Sequence, residues 1–193
     1  MMLDQQILFW INEILRSNFA DLFLGLVSER LLFSFPLFLI LCVCTFIYLP
    51  KKQFWPIVLG LLICVGIADQ IGNFIKSHYF SPRPCDDLYM FVYQGSVQLT
   101  ESCNSGKGMP SNHALNFSVA ATYLSLAIRY WPARLTLWLI CFAVAISRIY
   151  LAKHYPSQVL AGLFLGVFIG LIMHNLLSRL NFFSPLCERA KNL

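Results

Sequence analysis

The stretch FWPIVLGLLICVGIADQIGNFI, Phe54 to Ile75, decides the fold. Asp69 is its only charged residue. A hydrocarbon layer ~30 Å thick is crossed by ~20 predominantly apolar residues in one helix, and this run has that length. Three further runs match it: Leu31 to Leu49, Leu135 to Leu151 (slightly short but extendable) and Val159 to Leu177. A fifth, Ala114 to Tyr130, is less apolar, with Asn116, Ser118, Thr122 and Ser125, and reads as a spanning helix whose polar side faces other helices. The whole chain agrees. It is 58% hydrophobic and 12% charged, where soluble domains carry about 25% charge. The expected architecture is an all-α membrane bundle of about five transmembrane helices, one domain over residues 1–193.

Residues 1–30 read differently. Within LDQQILFWINEILRSNF, Ile7, Trp10, Ile11 and Ile14 share one helical face while Gln6, Glu13 and Arg16 lie elsewhere. This is the pattern of an amphipathic helix at the membrane interface. It lacks the basic start of a secretory signal.

Five crossings put three basic segments on one side: Lys51 and Lys52, Arg129 and Arg134, and the tail with Arg179, Arg189 and Lys191. The positive-inside rule makes that side cytoplasmic. The opposite side holds the 78–110 loop and the 152–157 link, with cations of its own at Lys76, Arg83, Lys107, Arg148 and Lys153. Cys42, Cys44, Cys64 and Cys141 fill apolar runs. Cys85 and Cys103 share the outer loop and would form a disulfide in an oxidising compartment, contributing roughly 3 kcal/mol; two free thiols are the alternative. No Cys or His spacing suits a metal.

Polar residues near spanning helices are costly and tend to be functional. Here they gather at three places: Lys76, Arg83 and Pro84 in KSHYFSPRP; Pro110, Ser111, Asn112 and His113 in GMPSNH; Ser147, Arg148, His154 and Gln158 in SRIYLAKHYPSQ. The topology brings all three to one face. Three cations suit a phosphate or diphosphate, with Arg supplying forked donors. The N–H groups opening the helix after Pro110 carry the positive end of its dipole, and Gly106 and Gly108 let the preceding loop turn closely around a ligand. Two histidines divide the labour of nucleophile and general acid. Without clustered carboxylates, neither a metal nor another cofactor is required. Singly, each cation is a snorkelling anchor and each histidine a satisfied helix end; it is their convergence that points to function.

These residues resemble the type 2 phosphatidic acid phosphatase family, which shares its site with vanadium haloperoxidases. The family pattern is K-x6-RP, PSGH and SR-x5-H-x3-D. Lys76 with Arg83-Pro84, Pro110 to His113, and Ser147-Arg148 with His154 follow it, and the motif-bearing region is 76–158. The resemblance implies a helical bundle with its site at the outer membrane face. It also implies His154 as nucleophile, His113 as general acid, and Lys76, Arg83, Ser111, Arg148 and the backbone at Asn112 and His113 as phosphate ligands. Two positions depart. Asn112 stands where the family has Gly, and its backbone N–H survives. Gln158 stands where the family has the Asp that orients the nucleophile, so it accepts a hydrogen bond without bringing charge. Asp69 shares a helical face with Asn73 and Lys76, and an ion pair with Lys76 is expected.

The implied function is a lipid phosphatase acting through a phosphohistidine. Its partners would be the bilayer and a lipid substrate, not nucleic acid. Candidate substrates are lipid A 1-phosphate, isoprenyl diphosphate, phosphatidylglycerophosphate and phosphatidic acid. A phosphotransferase, or a weakly active lipid-phosphate binder, is the alternative. A bacterial inner membrane with the site facing the periplasm is the expected setting. Gly162, Gly166 and Gly170 form a close-contact stripe for a neighbouring helix, within the chain or in an oligomer. His174, deep toward the cytoplasmic end, reads as structural, and NFS at Asn116 as a chance glycosylation match.

Overall fold

A computed structural model describes residues 3–28, 33–34, 36–40, 51–79, 81–84, 107–128 and 130–180. Among the described residues, six helices of 11 residues or more follow one another: α1 Leu3–Leu15, α2 Asn18–Ser28, α3 Lys51–His78, α4 Asn112–Ala127, α5 Trp131–Tyr150 and α6 Pro156–Leu177. The fold is all-α; among the described residues the extended pairing is one isolated bridge between Ser81 and Lys107. Among the described residues, three helices, α3, α5 and α6, are long and apolar enough to cross a membrane. The expected run Leu31 to Leu49 falls largely outside the described residues, as do Cys85 and Cys103 and their expected disulfide.

The fifth expected span, Ala114 to Tyr130, is α4, with 16 residues, or about 24 Å at ~1.5 Å per residue. It is the central helix: α3, α5 and α6 all lie against it. Leu115, Val119, Tyr123 and Leu124 are buried in the main core with Ile57, Leu61, Cys64 and Ile169. Its polar residues face protein, as the reading of the run required. Ser118 donates to the carbonyls of Leu115 and Gly162, and Asn116 donates to Asp69. A helix with most of its residues buried need not be apolar all round. Most exposed large apolar side chains belong to its neighbours, among them Leu59, Leu139, Phe164 and Phe168.

The α4–α6 contact depends on the glycine stripe. A Cβ on Gly166 would stand 2.5 Å from the Leu115 carbonyl oxygen, and one on Gly162 2.6 Å from that of Ser111. The stripe therefore serves contact within the chain, where it is buried.

The N-terminal segment holds two helices, α1 within the expected amphipathic stretch and α2 after it. The physical reason for the break between them is Ser17. Its hydroxyl accepts from the Ala20 N–H at 3.1 Å and its carbonyl from the Asp21 N–H at 2.9 Å, which starts a new helix. On α1, Leu8 and Asn12 are buried against protein, while Leu3, Trp10 and Ile14 form an exposed apolar strip. That strip fits a membrane interface.

Gly166→Leu forces α4 and α6 apart, because the new side chain meets the Leu115 carbonyl as well as Ser118 Oγ, and the backbone cannot move aside. It should lower the melting temperature by 10 °C or more, on the order of 3 kcal/mol for an overpacked contact, measured on detergent-purified protein. Leu160→Ala, on the exposed side of the same helix, should melt like the parent.

Candidate active site

Three chain segments meet at one end of the bundle. The first is the link after α3, where Gly108 N–H donates to the Ser81 carbonyl at 2.8 Å and Arg83 Nη2 donates to the Lys107 carbonyl at 3.3 Å. The second is the start of α4. Ser111 is its N-cap, and the Met109–Pro110 peptide before it is cis. The third is the link from α5 to α6. It folds back on itself: the N–H groups of Lys153 and His154 both donate to the Arg148 carbonyl, at 3.0 and 3.1 Å. Ala152, at φ 50°, makes that reversal. Tyr155 caps α6 and Pro156 opens it, where a missing N–H is harmless.

Gln158 joins the three segments. Its Nε2 donates to the Pro82 carbonyl at 2.7 Å and to Ser81 Oγ at 2.9 Å. Its Oε1 accepts from the Tyr155 N–H at 3.1 Å and lies 3.2 Å from His154 Nδ1. Its backbone carbonyl accepts from the Ser111 N–H at 3.1 Å. A carbonyl can only accept and a backbone N–H can only donate, so Pro82 and Tyr155 fix which end of the carboxamide is which. His154 must then carry its proton on Nδ1, and its Nε2 keeps the lone pair. Gly108 makes room: a Cβ there would lie 2.4 Å from Gln158 Nε2.

His154 is 2% exposed, and burial in this place holds its pKa well below the ordinary 6.5. Burial is the largest cause, followed by the positive charges of Arg148, Arg83 and Lys76; the Gln158 hydrogen bond opposes them. Those same charges show that all three cations act on one imidazole. The ring is neutral at physiological pH, which a nucleophile requires.

Ser111 is fully buried, yet its hydroxyl makes no hydrogen bond and does not cap α4. A buried, unused hydroxyl at a helix start suits an anion that completes it. His113 is the second residue of α4 and partly buried. Asn112, in the Gly position of the resembled pattern, is held sideways. Its Nδ2 donates to Asp69 Oδ1 at 3.0 Å and to Asn73 Oδ1 at 2.8 Å. Asp69 also accepts from Asn73 and Asn116, at 3.0 and 3.1 Å. Gly72 leaves space for the Asn112 side chain. Lys76, Arg83, Ser111, Asn112, His113, Arg148, His154 and Gln158 thus all stand at this end. Ser81 and Pro82 were not legible as participants, because the hydrogen bonds they accept come from a residue remote in sequence.

Among the described residues no three of His, Cys, Asp and Glu are placed to hold a metal ion. The arrangement can accept a phosphoryl group on a neutral nitrogen, surrounded by fixed positive charge.

Comparison with known proteins points the same way. The model of the PAP2 superfamily matches residues 53–182, more than half of the chain. A protein of Bacteroides thetaiotaomicron named lipid A 4'-phosphatase is 28% identical over 95% of this chain and 82% of its own length. Human glucose-6-phosphatase 3 is 36% identical, over 55% of this chain and 36% of its own. The crystal structure of Aquifex aeolicus LpxE superposes with a TM-score of 0.63 at 23% identity, covering 91% of this chain and 96% of that one. A phosphatidylglycerolphosphate phosphatase from Bacillus subtilis gives 0.60 at 20%, over 89% and 85% of the two chains.

Two outcomes test this geometry. An NMR titration of the His154 ring should show it titrating well below 6.5, and Gln158→Glu should move that pKa up, since an adjacent negative charge favours the imidazolium. Asn112→Gly should lower stability by about 2 kcal/mol through loss of the Asp69 and Asn73 bonds while keeping the backbone N–H, so thermal melting falls and phosphatase activity persists.

Proposed function

This chain belongs to the PAP2 superfamily and is a membrane phosphatase, and we propose that it removes a phosphate from a lipid through a phosphohistidine at His154. The observation that carries this reading is the Gln158 network, which leaves His154 Nε2 unprotonated beside three cations.

His154 Nε2 attacks phosphorus and forms the P–N bond as the P–O bond to the lipid breaks. His113 delivers a proton to the departing oxygen. Positive charge on the phosphorylated imidazole is met by the Gln158 oxygen through Nδ1–H. Lys76, Arg83, Arg148, the Ser111 hydroxyl and the first N–H groups of α4 hold the phosphoryl oxygens. His113, now the base, takes a proton from water; the water oxygen attacks phosphorus, the P–N bond breaks, and phosphate leaves. Gln158 gives orientation without charge. The positive charge that forms on the ring during attack is met by the phosphoryl group's own negative charge as well as by the Gln158 oxygen.

We assign the substrate class as a lipid A-type phosphate. The supporting likeness is to proteins named lipid A 4'-phosphatase from Bacteroides thetaiotaomicron and Porphyromonas gingivalis; the 1-phosphate, one of the four candidates from sequence, and the 4'-phosphate are both to be assayed. The site would face the periplasm. Lys51, Lys52, Arg134 and Arg179 stand at the opposite end of the bundle, where Arg134 Nε donates to the Ile128 carbonyl at 2.6 Å.

Purified protein in detergent with EDTA should release phosphate from a lipid A substrate faster than from isoprenyl diphosphate, phosphatidylglycerophosphate or phosphatidic acid. His154→Ala should reduce release at least 10⁴-fold, on the order of nucleophile removal elsewhere. Activity of the variant near the parent's would reject the mechanism. Transfer of the phosphoryl group to a second lipid, without free phosphate, would make the enzyme a phosphotransferase.

A further inference from the structure

The chain upstream of residue 53 lies outside the family match, yet it holds the third motif at four points. Asp4 accepts from Ser157 N–H at 2.9 Å and also takes its hydroxyl. Asn12 Nδ2 donates to the Tyr150 carbonyl at 2.6 Å. The Tyr150 hydroxyl donates to Asp21. Arg148 Nη1 donates to Ser28 Oγ and lies 3.4 Å from the Ser28 carbonyl.

These bonds meet at helix ends. Ser157 N–H belongs to the first turn of α6 and the Tyr150 carbonyl to the last turn of α5, where helices leave such groups without internal partners. Ser28 ends α2, so its carbonyl sits at the negative end of that helix and meets a guanidinium. Ser28 is 3% exposed and Arg148 6%, so the pair is made away from water. A buried arginine whose head is gripped from one side has its remaining donors aimed by that grip, and a forked cation binds phosphate well only in the right orientation.

We propose that the α1–α2 pair is part of the phosphate site, with Ser28 as a positioning residue that aims the Arg148 guanidinium. Leu24 and Ala20 bury the same helix against Tyr150 and Leu151 without touching Arg148 through a polar group. They separate aiming from mere support.

This inference rests on Arg148 being a phosphate ligand, so its test measures that as well. Orthovanadate is titrated against the purified full chain, its binding followed by calorimetry beside a thermal melt of each variant. Ser28→Ala should weaken binding about tenfold, the value of one well-placed hydrogen bond to a charge. Ser28→Thr, which restores the hydroxyl, should recover it. Leu24→Ala should lower the melting temperature and leave vanadate affinity at the parent's value. Should Ser28→Ala fail to fold, Ser28→Cys, with a poor acceptor of similar size, takes its place. Parent-like affinity in the Ser28 variant, with a loss in Arg148→Ala, overturns the inference and leaves the phosphate site standing. An equal loss in Leu24→Ala and Ser28→Ala also overturns it. Parent-like affinity in Arg148→Ala overturns the phosphate role of Arg148 and this inference together.

Discussion

The site depends on one carboxamide. Gln158 presents two donors and one acceptor in a single plane, and the three segments it meets need that arrangement. Pro82 offers only a carbonyl, Tyr155 only an N–H, and His154 a ring nitrogen that becomes a donor because the oxygen facing it can only accept. A carboxylate would orient the histidine equally well, but it has no N–H for Ser81 and Pro82. The substitution relative to the resembled pattern is therefore a different way of closing the site. Charge on the orienting group is exchanged for a tie to the first motif.

Around that tie the bundle supplies rigidity. The glycine stripe brings the α6 backbone against α4, and the Ser111 N–H reaches the Gln158 carbonyl across the same contact. The helix that opens at Ser111 is thus fixed to the helix that carries Gln158. Burial does the rest. With His154 nearly sealed and three cations close by, its protonated form is disfavoured.

Much of this was legible in the sequence. The apolar runs gave the all-α membrane class, and α3, α5 and α6 begin and end within a few residues of the expected spans. The topology read from the runs brought Lys76, Arg83, Arg148 and His154 to one face, where the structure places them. Other features were not legible, for reasons of range. Ser28 and Arg148 are separated by 120 positions and Asn12 and Tyr150 by 138, so no periodicity links them. The break at Ser17 hid inside an apolar pattern that continues on both sides. The bonds of Asp69 to Asn112 and Asn116 depend on how α3 and α4 lie together, which no spacing along either helix records.

The most direct test of the account is to trap the intermediate. Radiolabelled lipid phosphate is mixed with enzyme in EDTA, quenched in alkali within milliseconds, and the labelled peptide is mapped by mass spectrometry with its phosphohistidine isomer assigned. The account predicts label on His154 at Nε2, because Gln158 holds the proton on Nδ1. Label at Nδ1, label on another residue, or a burst of product with no labelled protein would contradict it.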